Sequence, residues 1–249
     1  MSSAVRSRNL FDPTSDAPFK LSRSKLELFL RCPRCFYLDR RLGIGQPPMP
    51  AFTLNSAVDV LLKKEFDLFR AKGETHTLMR EFGIDAVPFS HPSLTDWRDN
   101  RRGVQVQSPE TSFLVFGSVD DLWIHPSGKI SVVDYKSTSI NGEVTLEGEW
   151  KDAYKRQVEI YQWLLRGNGL AVSDTAYFVY VNADKSRESF DARLEFSMKI
   201  LPYEGDASWV SDALMEAHTC LERSSPPMSH PDCEWCLYTA AVSQAVKTS

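Results

Sequence analysis

The chain has 249 residues, 42% of them hydrophobic, and carries 29 Lys and Arg against 33 Asp and Glu, a net charge of −4. That apolar content supports a sizeable core, and the lack of repeats or low-complexity tracts excludes a solenoid or disordered chain. Mild acidity excludes a generally basic polyanion binder, so any nucleic-acid contact must come from local basic clusters.

Residues 1–20 contain Ser, Asp and Pro without periodicity and are expected to form a flexible arm, with a single domain over 21–249. A helix is predicted over Ser22–Arg41, opened by a Ser22 cap, and another over Leu54–Lys72. Val87–Ser108 reads as loop-rich and carries Arg98, Arg101 and Arg102. Strands are predicted at Phe113–Trp123 and Lys129–Lys136, joined by the turn residues His125-Pro126-Ser127-Gly128. A helix follows over Glu149–Arg166, stopped by Gly167 and Gly169. Strands near Thr175–Val181 and Arg193–Ile200 precede a last helix at Ala207–Glu222. This order of helices and strands suits an α/β sandwich with a mixed central sheet.

The hairpin carries the chemistry. Asp134 and Lys136 are two apart on a strand, so they share a face. Asp134 follows the apolar run Ile130-Ser131-Val132-Val133, and a buried acid needs a partner or a metal. A second acid, Asp120 or its rival Asp121, comes from the neighbouring strand; alternation gives the two opposite faces. Paired carboxylates beside a lysine suit Mg²⁺ or Mn²⁺ and a phosphodiester. The bland alternative is a solvated Asp–Lys pair and turn-forming acids. Gln157 and Tyr161 fall one turn apart on the following helix. Lys151, Lys155 and Arg156 on that helix form the best basic cluster for DNA.

Four of the five cysteines form two pairs, Cys32-Pro33-Arg34-Cys35 and Cys233-Glu234-Trp235-Cys236. No signal stretch or long apolar run is present, which predicts a cytoplasmic, reducing location and no membrane partner. There, paired CxxC motifs read as a four-thiolate metal site, for Zn²⁺ or an iron–sulfur cluster, and not as disulfides. Cys220 reads as a small buried hydrophobe.

Gly117-x-x-Asp120, Asp134-Tyr135-Lys136 and Gln157-x-x-x-Tyr161, in that order, resemble the PD-(D/E)XK nuclease superfamily in its RecB-like branch, which includes CRISPR-adaptation nucleases. The resemblance runs from about Leu21 to Tyr238. It implies a restriction-endonuclease-like core with a mixed central sheet flanked by helices. It also implies that Asp120, Asp134, Lys136, Gln157 and Tyr161 serve catalysis, and that Asp120, Asp134 and the Tyr135 carbonyl hold Mg²⁺ or Mn²⁺. The family's early histidine ligand is replaced by Asp59, an oxygen donor that suits the same cations. Many relatives tie their terminal helices with a 4Fe–4S cluster, using one N-terminal and three C-terminal cysteines. Here Cys32, Cys233 and Cys236 match, Val242 stands near the position of the last, and Cys35 is the substitute thiolate. The implied activity is an exonuclease-like deoxyribonuclease of DNA repair, recombination or defence, with DNA and a helicase or other repair or defence protein as partners. The alternative is an inactive nuclease-fold module for DNA binding or assembly.

Overall fold

The computed structural model describes residues 5–47 and 53–248; residues 1–4 of the expected arm lie outside these. In chain order the elements are β1 (Phe19–Ser22), α1 (Arg23–Arg31), α2 (Pro33–Arg41), α3 (Thr53–Lys72), α4 (Thr77–Glu81), β2 (Val87–Pro88), α5 (Leu94–Arg98), β3 (Val104–Gln107) and β4 (Phe113–Gly117). Then come β5 (Asp121–Ile124), β6 (Ile130–Thr138), α6 (Glu149–Gly167), β7 (Thr175–Ala183), β8 (Phe196–Glu204), α7 (Trp209–Glu222) and α8 (Glu234–Thr248). The chain divides into two compact units, one built from residues 1–50, 106–116 and 208–249, the other from 51–105 and 117–207.

In the first unit, β1 pairs in parallel with β4, and α1, α2 and α7 pack on one another. Leu21, Leu26 and Phe36 are fully buried. Within the segment expected as an arm, Phe11 is buried and meets the rings of Phe19 at 5.5 Å and His218 at 5.3 Å. The single helix predicted over Ser22–Arg41 is two. Proline disfavours the helical conformation in the residue before it and opens helices well. Accordingly Cys32 is extended (φ −162°, ψ 104°) and Pro33 begins α2. Ser22 stands at the N-cap of α1, but its side chain does not cap the helix.

The second unit holds a five-stranded mixed sheet in the order β2-β5-β6-β7-β8, in which only β6 and β7 are parallel. The predicted hairpin turn forms: Gly128 takes φ +79° and donates to the His125 carbonyl at 2.9 Å. The strand predicted over Phe113–Trp123 is divided between two sheets, as β4 and β5. The chain leaves β4 at Gly117, whose carbonyl lies so close to Gly103 that a Cβ there would sit 2.6 Å from it. The Val119 N–H then bonds to the Trp97 carbonyl at 3.1 Å.

Strand alternation sorts the second unit into layers. Val133 and Tyr135 of β6, with Tyr177, Val179 and Val181 of β7, join Leu62 and Phe66 of α3 in one buried cluster. The alternate residues Asp134, Lys136 and Tyr180 point to the opposite face, where α6 lies. An α6 crossover between parallel strands is the ordinary way to link β6 to β7. It brings Gln157 over Asp134.

Candidate active site and cysteine centre

The candidate active site gathers where β6 emerges from the core. Asp134 is fully buried, whereas Lys136 keeps some exposure. The Lys136 ammonium pairs with Asp134 Oδ2, and Gln157 Nε2 donates to Asp134 Oδ1 at 2.7 Å and lies 3.2 Å from the Tyr161 hydroxyl. Burial alone would push the Lys136 ammonium down. The charges of Asp134 and Asp120 outweigh it and hold the group above its ordinary value. The lysine is therefore a fixed positive charge.

Asp120 lies in the bend just before β5. Its Oδ2 accepts from the Tyr135 N–H at 3.0 Å, tying it across to the chain between Asp134 and Lys136. Lys63 of α3 bridges Asp120 Oδ1 at 3.2 Å and Asp59 Oδ2 at 2.8 Å. Burial is the largest influence on Lys63 and would lower its pKa; the two carboxylates, Asp120 first, raise it. Asp59, Lys63 and Asp120 thus form one chain of charge.

Asp121 belongs to the other face. It is fully buried and pairs with Arg70 and, at 3.0 Å, with Arg98, while its Oδ2 accepts from the Tyr135 hydroxyl at 2.8 Å. Arg98 also donates through Nε to the Asp120 carbonyl at 2.9 Å, so the network that neutralises Asp121 also holds the backbone of Asp120. Burial and then the Asp121 charge push the Tyr135 phenol well up, keeping it a neutral donor.

The three residues read as the best basic cluster for DNA differ in their surroundings. Lys155 pairs with Asp152 at 3.1 Å, and Arg156 is half-buried. Lys151 is buried, donates to the Tyr180 hydroxyl at 2.7 Å and lies 4.1 Å from the Trp150 ring centre. Burial, and then the charge of Lys136, lowers its pKa. It is not a surface cation.

Sequence reasoning missed Lys63 as a site residue, although its i, i+4 spacing from Asp59 was a usable signal. It missed Tyr154, whose ring lies 4.4 Å from the Lys136 ammonium. Arg70 and Arg98 left no local signal, because they reach Asp121 from 51 and 23 residues away. Beyond Lys136 a cleft of about 460 Å³ opens, lined by Asn55, Ser137, Thr138, Asp184 and Lys185 among others.

In the first unit, the four predicted cysteines converge. Cys35 Sγ lies 3.6 Å from both Cys233 Sγ and Cys236 Sγ, and Cys32 Sγ lies 3.8 Å from Cys236 Sγ. All four sulfurs fall within 4.8 Å of one another, the only such cluster of three or more His, Cys, Asp and Glu ligand atoms among the described residues. The Pro33 break makes this possible: Cys32 precedes α2 and Cys35 sits in its first turn, so one helix start presents both thiols. Burial would raise the Cys32 thiol, but backbone N–H groups of Cys35 and His230 and the neighbouring thiols bring it down to about 7. Burial pushes Cys236 up to about 11. Cys220 is buried and its sulfur faces the Pro33 carbonyl at 3.7 Å, outside the cluster.

A family model of the PD-(D/E)XK nuclease superfamily matches residues 54–241, and the chain belongs to that superfamily. Its mixed α/β architecture agrees with a restriction-endonuclease-like fold. The match begins at α3 and includes Asp59, Asp120, Asp134, Lys136, Gln157 and Tyr161. A solved structure titled "Crystal structure of SSO0001" is similar at 15% identity and a TM-score of 0.43, over 95% of this chain and 86% of that one. No curated protein matches the chain. No described helix is long and apolar enough to cross a membrane.

Proposed function

We propose that the protein is a Mg²⁺- or Mn²⁺-dependent deoxyribonuclease of the RecB-like branch, acting on DNA ends in repair, recombination or defence. The observation that carries this reading is Asp120 held on the Tyr135 N–H, next to the buried Asp134, with Lys136 and Gln157 on Asp134. Carboxylate oxygens are the donors that hard cations take. The site also already draws positive charge, since Lys63 lies between Asp59 and Asp120. Asp120, Asp134 and the Tyr135 carbonyl would hold the cation, with Asp59 as a further oxygen donor. When bound, the cation lowers the pKa of a coordinated water and offsets charge on the phosphate. Lys136 adds a second fixed positive charge beside the scissile group. Gln157 holds the Asp134 carboxylate in place, and Tyr161 orients Gln157. The reading includes a reducing, cytoplasmic location and a helicase or other repair or defence protein as partner.

Asp134→Ala and Lys136→Ala should each abolish Mg²⁺- or Mn²⁺-dependent cleavage of labelled single- and double-stranded DNA while circular dichroism stays native. Wild-type cleavage rates in both variants would refute the assignment. The second reading, an inactive module for DNA binding or assembly, draws on the internal pairing of Lys63 with Asp120. A wild-type protein that binds DNA but cuts none of these substrates with either cation would favour it.

For the cysteine centre, the sulfur spacing supports one zinc ion over a 4Fe–4S cluster. Four thiolates about 2.3 Å from one tetrahedral ion stand about 3.8 Å apart. Three of the six separations here, at 3.6–3.8 Å, match that edge, and all lie within 4.8 Å. In a cubane each thiolate binds a different iron corner, which spreads the sulfurs further. The family's usual arrangement of one N-terminal and three C-terminal cysteines is also replaced by two and two.

A further inference from the structure

Trp150 is unlike the other tryptophans. It is 61% exposed, while every other tryptophan among the described residues is buried or half-buried. Gly148 turns the chain into α6 with φ +106°, which places Trp150 in the first turn. The indole is held there. The buried Lys151 ammonium lies 4.1 Å from its ring centre, and Tyr154 meets it edge-on at 5.8 Å and 78°. Lys151 is itself anchored on the Tyr180 hydroxyl. A solvent-facing tryptophan fixed in this way has given up hydrophobic burial without gaining mobility.

Its position extends the site described above. Trp150, Tyr154, Gln157 and Tyr161 follow one another at spacings of four, three and four, a single stripe along α6. Tyr154 contacts the Lys136 ammonium at 4.4 Å, and Gln157 contacts Asp134. A strand whose phosphate lay at Lys136 would therefore pass Trp150 within about a nucleotide or two. A flat, exposed ring complements a base whose sugar-phosphate is drawn to the Lys136 charge. A base paired inside a duplex cannot reach such a ring, because it must first leave the stack.

We propose that Trp150 is a stacking platform for an unpaired base of a DNA strand beside the scissile phosphate, so that the preferred substrate is single-stranded DNA or a frayed end. This rests on the nuclease reading for the place of the phosphate, but the stacking can be tested without cleavage. Base–aromatic stacking of ordinary strength corresponds to a change of about fivefold to 150-fold in affinity.

The experiment compares the wild type, Trp150→Phe and Trp150→Ala, each checked for native circular dichroism. Binding is measured in EDTA to a fluorescent oligothymidylate, to an abasic oligomer of equal length and to a blunt duplex. Trp150→Ala should weaken oligothymidylate binding by at least about fivefold, leave abasic and duplex binding unchanged, and be largely rescued by Trp150→Phe. Unchanged oligothymidylate binding, or an equal loss on the abasic oligomer, overturns the proposal. Cleavage is then followed with Mn²⁺. If the wild type cuts nothing yet shows the base-dependent loss, the nuclease reading falls and the stacking site stands. If cleavage is robust and the affinities do not move, the reverse holds.

Discussion

Asp120 and Asp121 are adjacent in sequence but should fail in opposite ways when each is replaced by Asn. Asp121 is fully buried and neutralises Arg70 and Arg98, whose side chains are only 9% and 14% exposed. Removing that charge leaves the two guanidinium groups with only the half-exposed Asp67, which pairs with both at 2.9 Å, and sets an amide N–H₂ against donors. Breaking a buried pair this way costs about 3–5 kcal/mol. Asp120 has a side chain 24% exposed, and its partner Lys63 is 22% exposed. A partly solvated pair of that kind contributes about 0–1 kcal/mol, and Asn still accepts from the Tyr135 N–H. For a urea slope of about 3 kcal/mol/M, Asp121→Asn should lower the unfolding midpoint by about 1–1.7 M, against about 0.3 M or less for Asp120→Asn. Fluorescence of the fully buried Trp123 follows the transition in the same unit. Cleavage per folded molecule should show the opposite ranking, with Asp120→Asn inactive and Asp121→Asn retaining activity in the cold. Equal midpoint shifts, or a more active Asp120 variant, would mean that the two acids have been assigned to the wrong faces of the sheet.

Two further outcomes concern the first unit. The purified protein should be colourless and contain one zinc per chain, and Cys35→Ser or Cys233→Ser should lower its melting temperature more than Cys220→Ser. A brown protein with iron and sulfide, or an equally damaging Cys220 variant, contradicts the single-ion centre. Asp39 has a side chain only 1% exposed and pairs with Lys25 at 2.7 Å and Arg40 at 2.9 Å. Burial would raise its pKa, but Arg40 and Lys25 together hold it below the ordinary value of 3.8. A depressed folded pKa gives stability that is present above the unfolded value and lost as pH falls through the folded one. Melting temperature should therefore drop below about pH 4, and Asp39→Asn should flatten that part of the curve. An unaltered acid limb in the variant would remove Asp39 as its source.

The legible parts of this protein were those written at fixed spacing. Asp134 and Lys136 at i, i+2 and Gln157 and Tyr161 at i, i+4 meet as their periods require, and Gly128 closes the hairpin. The break at Cys32 was also local, since Pro33 announces it. The passage from β4 to β5 was not, because it depends on Gly103 and Trp97, which approach from another part of the chain. Lys151 illustrates the same limit. Its neighbours Lys155 and Arg156 suggest a basic face, but Tyr180, 29 residues away, determines that it turns inward.

The first unit is assembled from three separated stretches, and its two cysteine pairs come from the first and the last of them. Cys236 follows Cys35 by 201 residues. At about 5–20 residues per second, a ribosome takes about 10–40 s to travel that distance. For most of that interval α1 and α2 lack the α7 they pack beside, whereas residues 51–207 contain the strands and helices of the second unit almost entire. The second unit can therefore fold before the four cysteines meet. A chain cut short before Cys233 would keep the candidate catalytic acids and α7, and lose two of the four clustered thiols. The four thiols thus come together only once residues 233–236 have been made.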